Sequence, residues 1–225
     1  MSRWLFTFER AVQRERWRRA AIAVLGAYLV LYWTDGAIFR WLYVGAGMEH
    51  DAAQAARRAM EGGPAAQMFK LTGYLPVWLA VAAALVPFRR SADAARIVAA
   101  GALGGALAEA LKPIVGQVRP LITGGVHWYR HVPNVPDAQV SYGMASSHVG
   151  VAFGAACMLV FLYGRAGWVA VLLAAGCAVE RMMAGSRFAT DVYVGALLGY
   201  ASARLVRPGG WHGVREGLML PAAPR

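Results

Sequence analysis

The sequence predicts an all-α membrane protein, a polytopic bundle of about six transmembrane helices, and composition and patterning both support this fold class. Hydrophobic residues make up 58% of the 225 positions and charged residues only 16%, with a mean hydropathy of +0.42. The apolar residues are grouped in runs that approach the roughly 20 helical residues needed to cross a bilayer. Helices are favoured because they satisfy their backbone polar groups within one span.

Six apolar runs mark the candidate spans. They cover approximately Ala20–Trp33, Leu71–Phe88, Ala95–Leu111, Val149–Tyr163, Ala166–Glu180 and Val192–Val206. Several are shorter than a full span, so we expect the helices to extend into the flanking residues. The predicted organisation is a basic amphipathic juxtamembrane segment over 1–19, a transmembrane domain over 20–206 and a cytoplasmic tail over 207–225.

Glycine spacing within three of these runs predicts close helix packing. The pairs, each four residues apart, are Gly101 with Gly105, Gly150 with Gly154, and Gly195 with Gly199. Small residues at this spacing let two helix backbones approach each other in a membrane. We therefore expect these glycines to have a packing role and not a catalytic one.

The charge balance indicates a membrane partner and no nucleic-acid partner. The chain has 23 Lys and Arg against 12 Asp and Glu, a net charge of +11. These cations bracket apolar runs instead of forming a stripe on a polar surface, so anionic lipid is the expected contact. The arginines of Arg3–Arg19 alternate with aromatic residues, as in an interfacial helix on the cytoplasmic leaflet. This predicts a cell (inner) membrane protein with both termini cytoplasmic.

Four cations oppose this topology, because they lie at or near helix ends on the outer, periplasmic or extracellular, face. They are Lys112, Arg119, Arg181 and Arg187. Cations in such places cost desolvation energy, so an anionic ligand is expected to compensate them. Snorkelling to lipid headgroups is the alternative. Glu109, three residues before Lys112, is expected to screen that lysine.

The residues around these cations suit a phosphate group. Arginine offers bidentate donors and lysine a point charge. Ser146 and Ser147 begin a predicted helix, whose free N–H groups and dipole attract an anion. His148 can protonate a leaving oxygen, because histidine titrates near neutral pH. Asp191, four residues after Arg187, is expected to hold that guanidinium by a charge-assisted bond.

Three segments resemble the motifs of the type 2 phosphatidic acid phosphatase (PAP2) superfamily of membrane phosphatases. The first motif is Lys, six residues and Arg-Pro, and Lys112, Arg119 and Pro120 match it in full. The second motif is Pro-Ser-Gly-His. Ser146 and His148 match it, while Ala145 replaces the Pro and Ser147 the Gly.

The third motif is Ser-Arg, five residues, His, three residues and Asp. Arg181 and Asp191 match its Arg and Asp. Glu180 replaces the Ser, and Arg187 stands where the family places its nucleophilic histidine.

The resemblance implies a phosphatase-like domain over 20–206 that acts on a lipid phosphate or a polyprenyl pyrophosphate. It implies that Lys112, Arg119, Arg181 and Ser146 bind the phosphate, with N–H groups around Ser147 assisting. His148 would be the general acid, and Asp191 would orient the group at position 187. The resemblance implies no metal and no other cofactor, since the cations already supply positive charge.

Arg187 leaves three hypotheses open, because a guanidinium stays protonated and cannot attack phosphorus. In the first, hydrolysis proceeds by direct attack of water or by another histidine, namely His148, His127 or His131. In the second, the protein is a degenerate member that binds a lipid phosphate without hydrolysing it. In the third, Arg187 forms a salt bridge with Asp191 that only fixes the last two helices.

Overall fold

Helices are the regular elements over the residues that the computed structural model describes, 2–133, 135–136 and 140–209. The predicted all-α class is therefore confirmed for this part of the chain. The helices are α1 (Ser2–Leu42), α2 (His50–Gly62), α3 (Pro64–Leu71), α4 (Leu75–Leu85), α5 (Ser91–Val115), α6 (Pro120–Thr123), α7 (Ser147–Tyr163), α8 (Trp168–Met183) and α9 (Ala189–Val206). Short 3-10 helices at Val86–Phe88 and Gly164–Gly167 follow α4 and α7, respectively.

Three stretches of helix are long and apolar enough to cross a membrane: Glu15–Leu42, Ser91–Val115 and Ser147–Met183. A fourth is possible if α3 and α4, which meet at a bend of 72°, count as one broken span. Helix covers most of each predicted run, but the run Leu71–Phe88 is interrupted at 72–74, where the chain bends between α3 and α4. The count of about six spans stays a prediction.

The stretch Ser147–Met183 consists of two helices that pack against each other. The chain turns at Gly164–Gly167, and a Cβ added at Gly167 would lie 2.6 Å from the Cα of Val160. The first residues of α8 therefore lie against the last turn of α7, and α8 runs back along it.

Helices α5, α7 and α9 pack around one another through the predicted glycines. A Cβ added at Gly150 would lie 2.6 Å from the carbonyl oxygen of Gly104, and one at Gly199 would lie 2.7 Å from the amide nitrogen of Gly154. No side chain fits at such distances, so the backbones themselves are in contact. The expected packing role of these glycines is confirmed.

The helix directions separate the molecule into two ends. At one end α5 begins beside the last turn of α7, where Tyr163 donates to Asp93 at 3.4 Å and the Arg90 guanidinium lies over the Tyr163 ring. At the other end α5 and α8 finish and α7 and α9 begin. The three motif segments belong to this second end, which we call the motif end.

The first predicted domain limit, between residues 19 and 20, lies inside a continuous helix, whereas α9 ends at Val206, next to the second limit. Helix α1 is continuous from Ser2 to Leu42, so no interruption separates the basic segment 1–19 from the first apolar run. Of the predicted tail, residues 207–209 follow α9, and residues 210–225 lie outside the described part.

Candidate anion-binding site

The three motif segments meet at the first turn of α7. Lys112, in the last turn of α5, donates from Nζ to the Oγ of Ser147 at 3.4 Å. The amide of Ser146 donates to the carbonyl oxygen of Asp191 at 3.0 Å, which joins the beginnings of α7 and α9. Lys112 also forms the predicted ion pair with Glu109. The fold thus places residues that are up to 79 positions apart around one helix terminus.

A short loop network holds Arg119 in this group. Helix α5 ends at Gly116, which has a φ of +68°, a conformation that glycine adopts without strain. The chain then pairs with the segments that follow α6: Val118 donates to Trp128 at 2.8 Å, and Arg119 donates to Ser141 at 3.1 Å. Both sides of the strand-like segment 117–119 are therefore bonded, and the Arg119 side chain reaches the Tyr142 carbonyl oxygen, four residues before Ser146.

Arg119 and Arg187 converge on one main-chain atom. The carbonyl oxygen of Tyr142 accepts from the Nη1 of Arg187 at 3.2 Å and from the Nε of Arg119 at 3.5 Å. The Tyr142 carbonyl has no signature in sequence, because every residue carries one.

The cations of the site are poorly hydrated. Arg187 is 4% exposed and Arg181 is 8% exposed. Burial and the neighbouring guanidinium of Arg119 lower the pKa of Arg187 to about 10, against the opposing effect of Asp191. Burial, followed by the charge of Arg181, likewise lowers the pKa of Arg119. The charged forms of these two guanidinium groups are therefore less favourable here than in water.

Several polar side-chain atoms at the same place are buried and have no hydrogen-bond partner among the described residues. They are the Oγ of Ser146, the Nε2 of His148, the Nε of Arg187 and the Oδ1 of Asp191. Unpaired buried polar atoms are costly, and they are usually satisfied by water or by a ligand. Donors and cations predominate here, so an anion fits better than a cation.

Asp191 is fully buried, but it does not hold Arg187 as expected. Its Oδ2 accepts the amide of Phe188 at 2.9 Å, which caps the beginning of α9. Among the described residues it forms no ion pair with Arg187, whose guanidinium turns to Tyr142 instead. The predicted charge-assisted bond is therefore wrong, and so is the hypothesis that Arg187 serves only as a salt-bridge partner of Asp191. The helix cap takes precedence because the carboxylate lies three residues after the N-cap.

Arg181, at the motif end, has an acidic neighbour in the residue that precedes it along the chain. Its Nη1 lies 3.5 Å from the Oε2 of Glu180, which is 3% exposed and forms no hydrogen bond. This ion pair compensates part of the charge of Arg181. Within the described residues, no three His, Cys, Asp or Glu side chains lie together as a metal ion would require.

The three candidate replacement histidines have different surroundings. His127 is engaged at both nitrogens: Nδ1 lies 3.1 Å from the Gln117 amide, and Nε2 lies 3.3 Å from the Tyr32 carbonyl oxygen and 3.4 Å from Asp35. His131 is exposed. His148 retains an unpaired buried Nε2. Of the three, His148 is the ring that the geometry leaves available beside the cations.

Some residues of the site were missed by sequence reasoning. Tyr74 packs edge-on against the His148 ring at 4.8 Å, from the bend between α3 and α4. A Cβ added at Gly73 would lie 2.7 Å from the Cβ of His148. The Leu75-Pro76 pair just after the bend was a signal for it, since proline favours the first turn of a helix.

Comparison with known proteins gives one match. A family model described as PAP2 superfamily matches residues 93–212, more than half of the chain. No curated protein and no solved structure matches the sequence. The matched part runs from the first turn of α5 past the end of α9 and contains all three motif segments. By this match, the chain belongs to the PAP2 superfamily.

Proposed function

We propose that this protein binds the phosphate of a membrane lipid, or of a polyprenyl pyrophosphate, at the beginning of α7 and hydrolyses or transfers it. The observation that carries the proposal is the grouping of Lys112, Arg119, Arg181 and Arg187 around a helix N-terminus. Four cations and free helical N–H groups match a doubly charged phosphoryl group, whereas a neutral ligand would leave them uncompensated. The superfamily membership is consistent with this chemistry.

The cations have distinct tasks in the proposed site. Lys112 and Arg181 supply charge from α5 and α8, and Arg119 and Arg187 present guanidinium groups from the two loops. Ser146 contributes a hydroxyl that has no hydrogen-bond partner in the part of the chain that the structure describes. These donors stabilise the charge that builds on the phosphoryl oxygens as the bond to the leaving group lengthens.

His148 acts as the general acid in this proposal. Water attacks phosphorus, a new P–O bond forms, and the bond between phosphorus and the lipid oxygen breaks. The imidazolium of His148 donates its proton to that departing oxygen, and the attacking water releases a proton to solvent. The unpaired Nε2 of His148 beside the cations supports this assignment.

A second candidate function is binding without turnover, and Arg187 favours it. We infer that Arg187 occupies the position of the family's nucleophilic histidine, where a guanidinium cannot attack phosphorus. Its burial and its bond to Tyr142 make it a fixed fourth cation. A pocket with such a cation holds an anion tightly and releases it slowly.

We propose a cell (inner) membrane location with both termini cytoplasmic and the motif end on the periplasmic or extracellular side. Arg89, Arg90 and Arg165 lie at the end opposite the motif segments. Cations flanking spans are typical of the cytoplasmic side. This orientation puts the proposed site at the outer leaflet.

The test is phosphate release by the purified full chain on phosphatidic acid, phosphatidylglycerol phosphate, a polyprenyl diphosphate and lipid A. Arg187→His and His148→Ala are assayed beside it, with His50→Ala as the matched control, because His50 lies on α2 and bonds only to Gln54 among described residues. We expect release by the native chain that His148→Ala abolishes and His50→Ala preserves.

An inactive native chain that binds one of these lipids, and that gains turnover with Arg187→His, would establish binding as the function. A covalent phosphoenzyme that disappears in His148→Ala would make His148 the nucleophile in place of water. A native chain that neither binds nor hydrolyses any of the four lipids would refute the proposal.

A further inference from the structure

Helix α9 is capped only in part by its own residues, through the bond that Asp191 accepts from the amide of Phe188. Its N-cap residue is Phe188, whose side chain has no hydrogen-bond acceptor. The first N–H groups of a helix need partners from outside the helix. Asp191 takes the amide of Phe188, so the amides that follow must find another acceptor.

The acceptor for one of these amides, that of Thr190, comes from α1. Asp35 is fully buried, and its Oδ1 accepts the amide of Thr190 at 3.1 Å while its Oδ2 accepts the Thr190 hydroxyl. A carboxylate at this place is stabilised by the helix dipole as well as by the two bonds. Asp35 therefore caps α9 across 155 positions of sequence.

A second group holds the carboxylate in place. The Nε2 of His127 lies 3.4 Å from the Oδ2 of Asp35, and the same ring packs against Phe188 with centroids 4.4 Å apart. Gln117 bonds the other ring nitrogen. His127 thus touches both the capping acid and the residue that follows Arg187.

The capped turn carries two of the site residues. Arg187 precedes the N-cap and Asp191 follows Thr190, so a shift of this turn moves both. The α7 terminus would follow, because Ser146 donates to the Asp191 carbonyl oxygen. Any loss of the cap would change where the cation Arg187 meets the phosphate.

We propose that Asp35 is a positioning residue of the phosphate site: by capping α9 from α1, with His127 as its support, it sets the places of Arg187 and Asp191 relative to α7. This rests on the proposed function, because it assigns the contact a role in ligand binding. Asp35 lies outside the part of the chain that the family model matches.

The experiment compares variants of the full chain that change α1–α9 contacts. Thr190→Val removes the hydroxyl bond to Asp35 and keeps the shape, Asp35→Asn removes the charge, and Thr190→Ser restores the hydroxyl. Tyr193→Phe is the matched control, since Tyr193 donates to the Val24 carbonyl at 3.1 Å in the same interface but away from the cap. Affinity for phosphatidic acid in mixed micelles, kcat and KM, and amide exchange at 189–191 are measured for each.

We expect Thr190→Val and Asp35→Asn to lower phosphatidic acid affinity about tenfold, the size of one lost charge-assisted bond. Where turnover is present, kcat should fall up to about a hundredfold, since small misplacement is costly. Thr190→Ser and Tyr193→Phe should stay within about twofold of the native chain. If the Asp35–Thr190 contact served stability alone, Tyr193→Phe and Thr190→Val would lower the folded fraction alike. The affinity of the folded molecules for phosphatidic acid would then stay unchanged.

The outcomes separate the two proposals. If the native chain binds phosphatidic acid and Thr190→Val binds it equally well, although exchange at 189–191 is faster, the positioning role is refuted and the phosphate site stands. If the native chain neither binds nor hydrolyses any of the four lipids named above, both are refuted.

Discussion

Arg119 and Arg187 share a single hydrogen-bond acceptor, the main-chain oxygen of Tyr142, at 3.5 and 3.2 Å. Two positive groups thus meet at one neutral atom, and burial lowers the pKa of each. Without an anion this arrangement costs free energy, and with an anion it becomes favourable. The two arginines therefore lower the stability of the ligand-free protein and favour the binding of an anion.

Arg187→Met tests this opposition. The pKa of Arg187 in the folded chain, about 10, lies below the ordinary value of an arginine. At pH 7 the group is protonated in both the folded and unfolded states, so the folded state carries the full cost of the buried charge. That cost is lost only as the pH rises through about 10. Replacing a buried charge by an apolar side chain of similar length should stabilise the ligand-free protein by about 1–4 kcal/mol.

Denaturant unfolding in detergent, without phosphate, measures the Arg187→Met effect. Arg58→Met on α2 is the control, since Arg58 is exposed and its replacement should change stability little. Phosphatidic acid at a hundred times its Kd should stabilise the native chain by about 2.7 kcal/mol. The same concentration should stabilise the Arg187→Met chain by less. A ligand-free Arg187→Met chain less stable than the native one would contradict the prediction.

Glu109→Gln should tighten phosphate binding. Glu109 pairs with Lys112 and is 59% exposed at its side chain, so it competes with a bound anion for the lysine. Exposed ion pairs contribute about 0.2–1 kcal/mol, which corresponds to a gain of roughly 1.4- to 5-fold in affinity. Equilibrium binding of phosphatidic acid checks this at low salt. Glu15→Gln, which breaks the Arg18 and Arg19 pairs on α1, should leave affinity unchanged.

Tyr74→Ala should impair the site through His148. The Tyr74 ring meets the imidazole edge-on at 4.8 Å, so its removal frees the imidazole to leave its working orientation. We expect phosphate release to fall about tenfold, since positioned general acids contribute about 10²- to 10⁴-fold. Tyr74→Phe retains the ring and should retain the rate. Equal losses in the two variants would show that the hydroxyl, and not the packing, is what matters.

Gly150→Ala should destabilise the bundle. A methyl group there would lie 2.6 Å from the Gly104 carbonyl oxygen, which must move to admit it. Overpacking of this kind costs about 1–3 kcal/mol. Gly26→Ala on α1 is the control, because nothing lies within 4 Å of its added Cβ. Thermal unfolding in the same detergent should show a lower Tm for Gly150→Ala and an equal or higher Tm for Gly26→Ala.

The parts of the site that sequence predicted are those with a local signature. Lys112, Arg119, Arg181 and Arg187 were identifiable because cations at the ends of apolar helices are costly. The glycine contacts and the Glu109–Lys112 pair followed from four- and three-residue spacing on helices. Each of these signals is contained within one short segment of chain.

The parts that sequence missed depend on distant or main-chain groups. The acceptor at Tyr142 is a main-chain oxygen, which every residue type carries. The Asp35–Thr190 cap joins α1 and α9 through residues that are 155 positions apart. Asp191 was assigned to Arg187 on helical spacing, although Arg187 precedes the first residue of α9 and is not on that helix. Spacing rules apply only once the end of a helix is known.

The cap of α9 by Asp35 also has a consequence for biosynthesis. Ribosomes add roughly 5–20 residues per second, so Asp35 is synthesised about 8–30 s before Thr190. During that interval the Asp35 carboxylate has no partner from α9, although it already belongs to the first apolar helix. Helix α9 therefore supplies the partner that Asp35 of α1 requires, and the proposed phosphate site can form only after α9 has been synthesised.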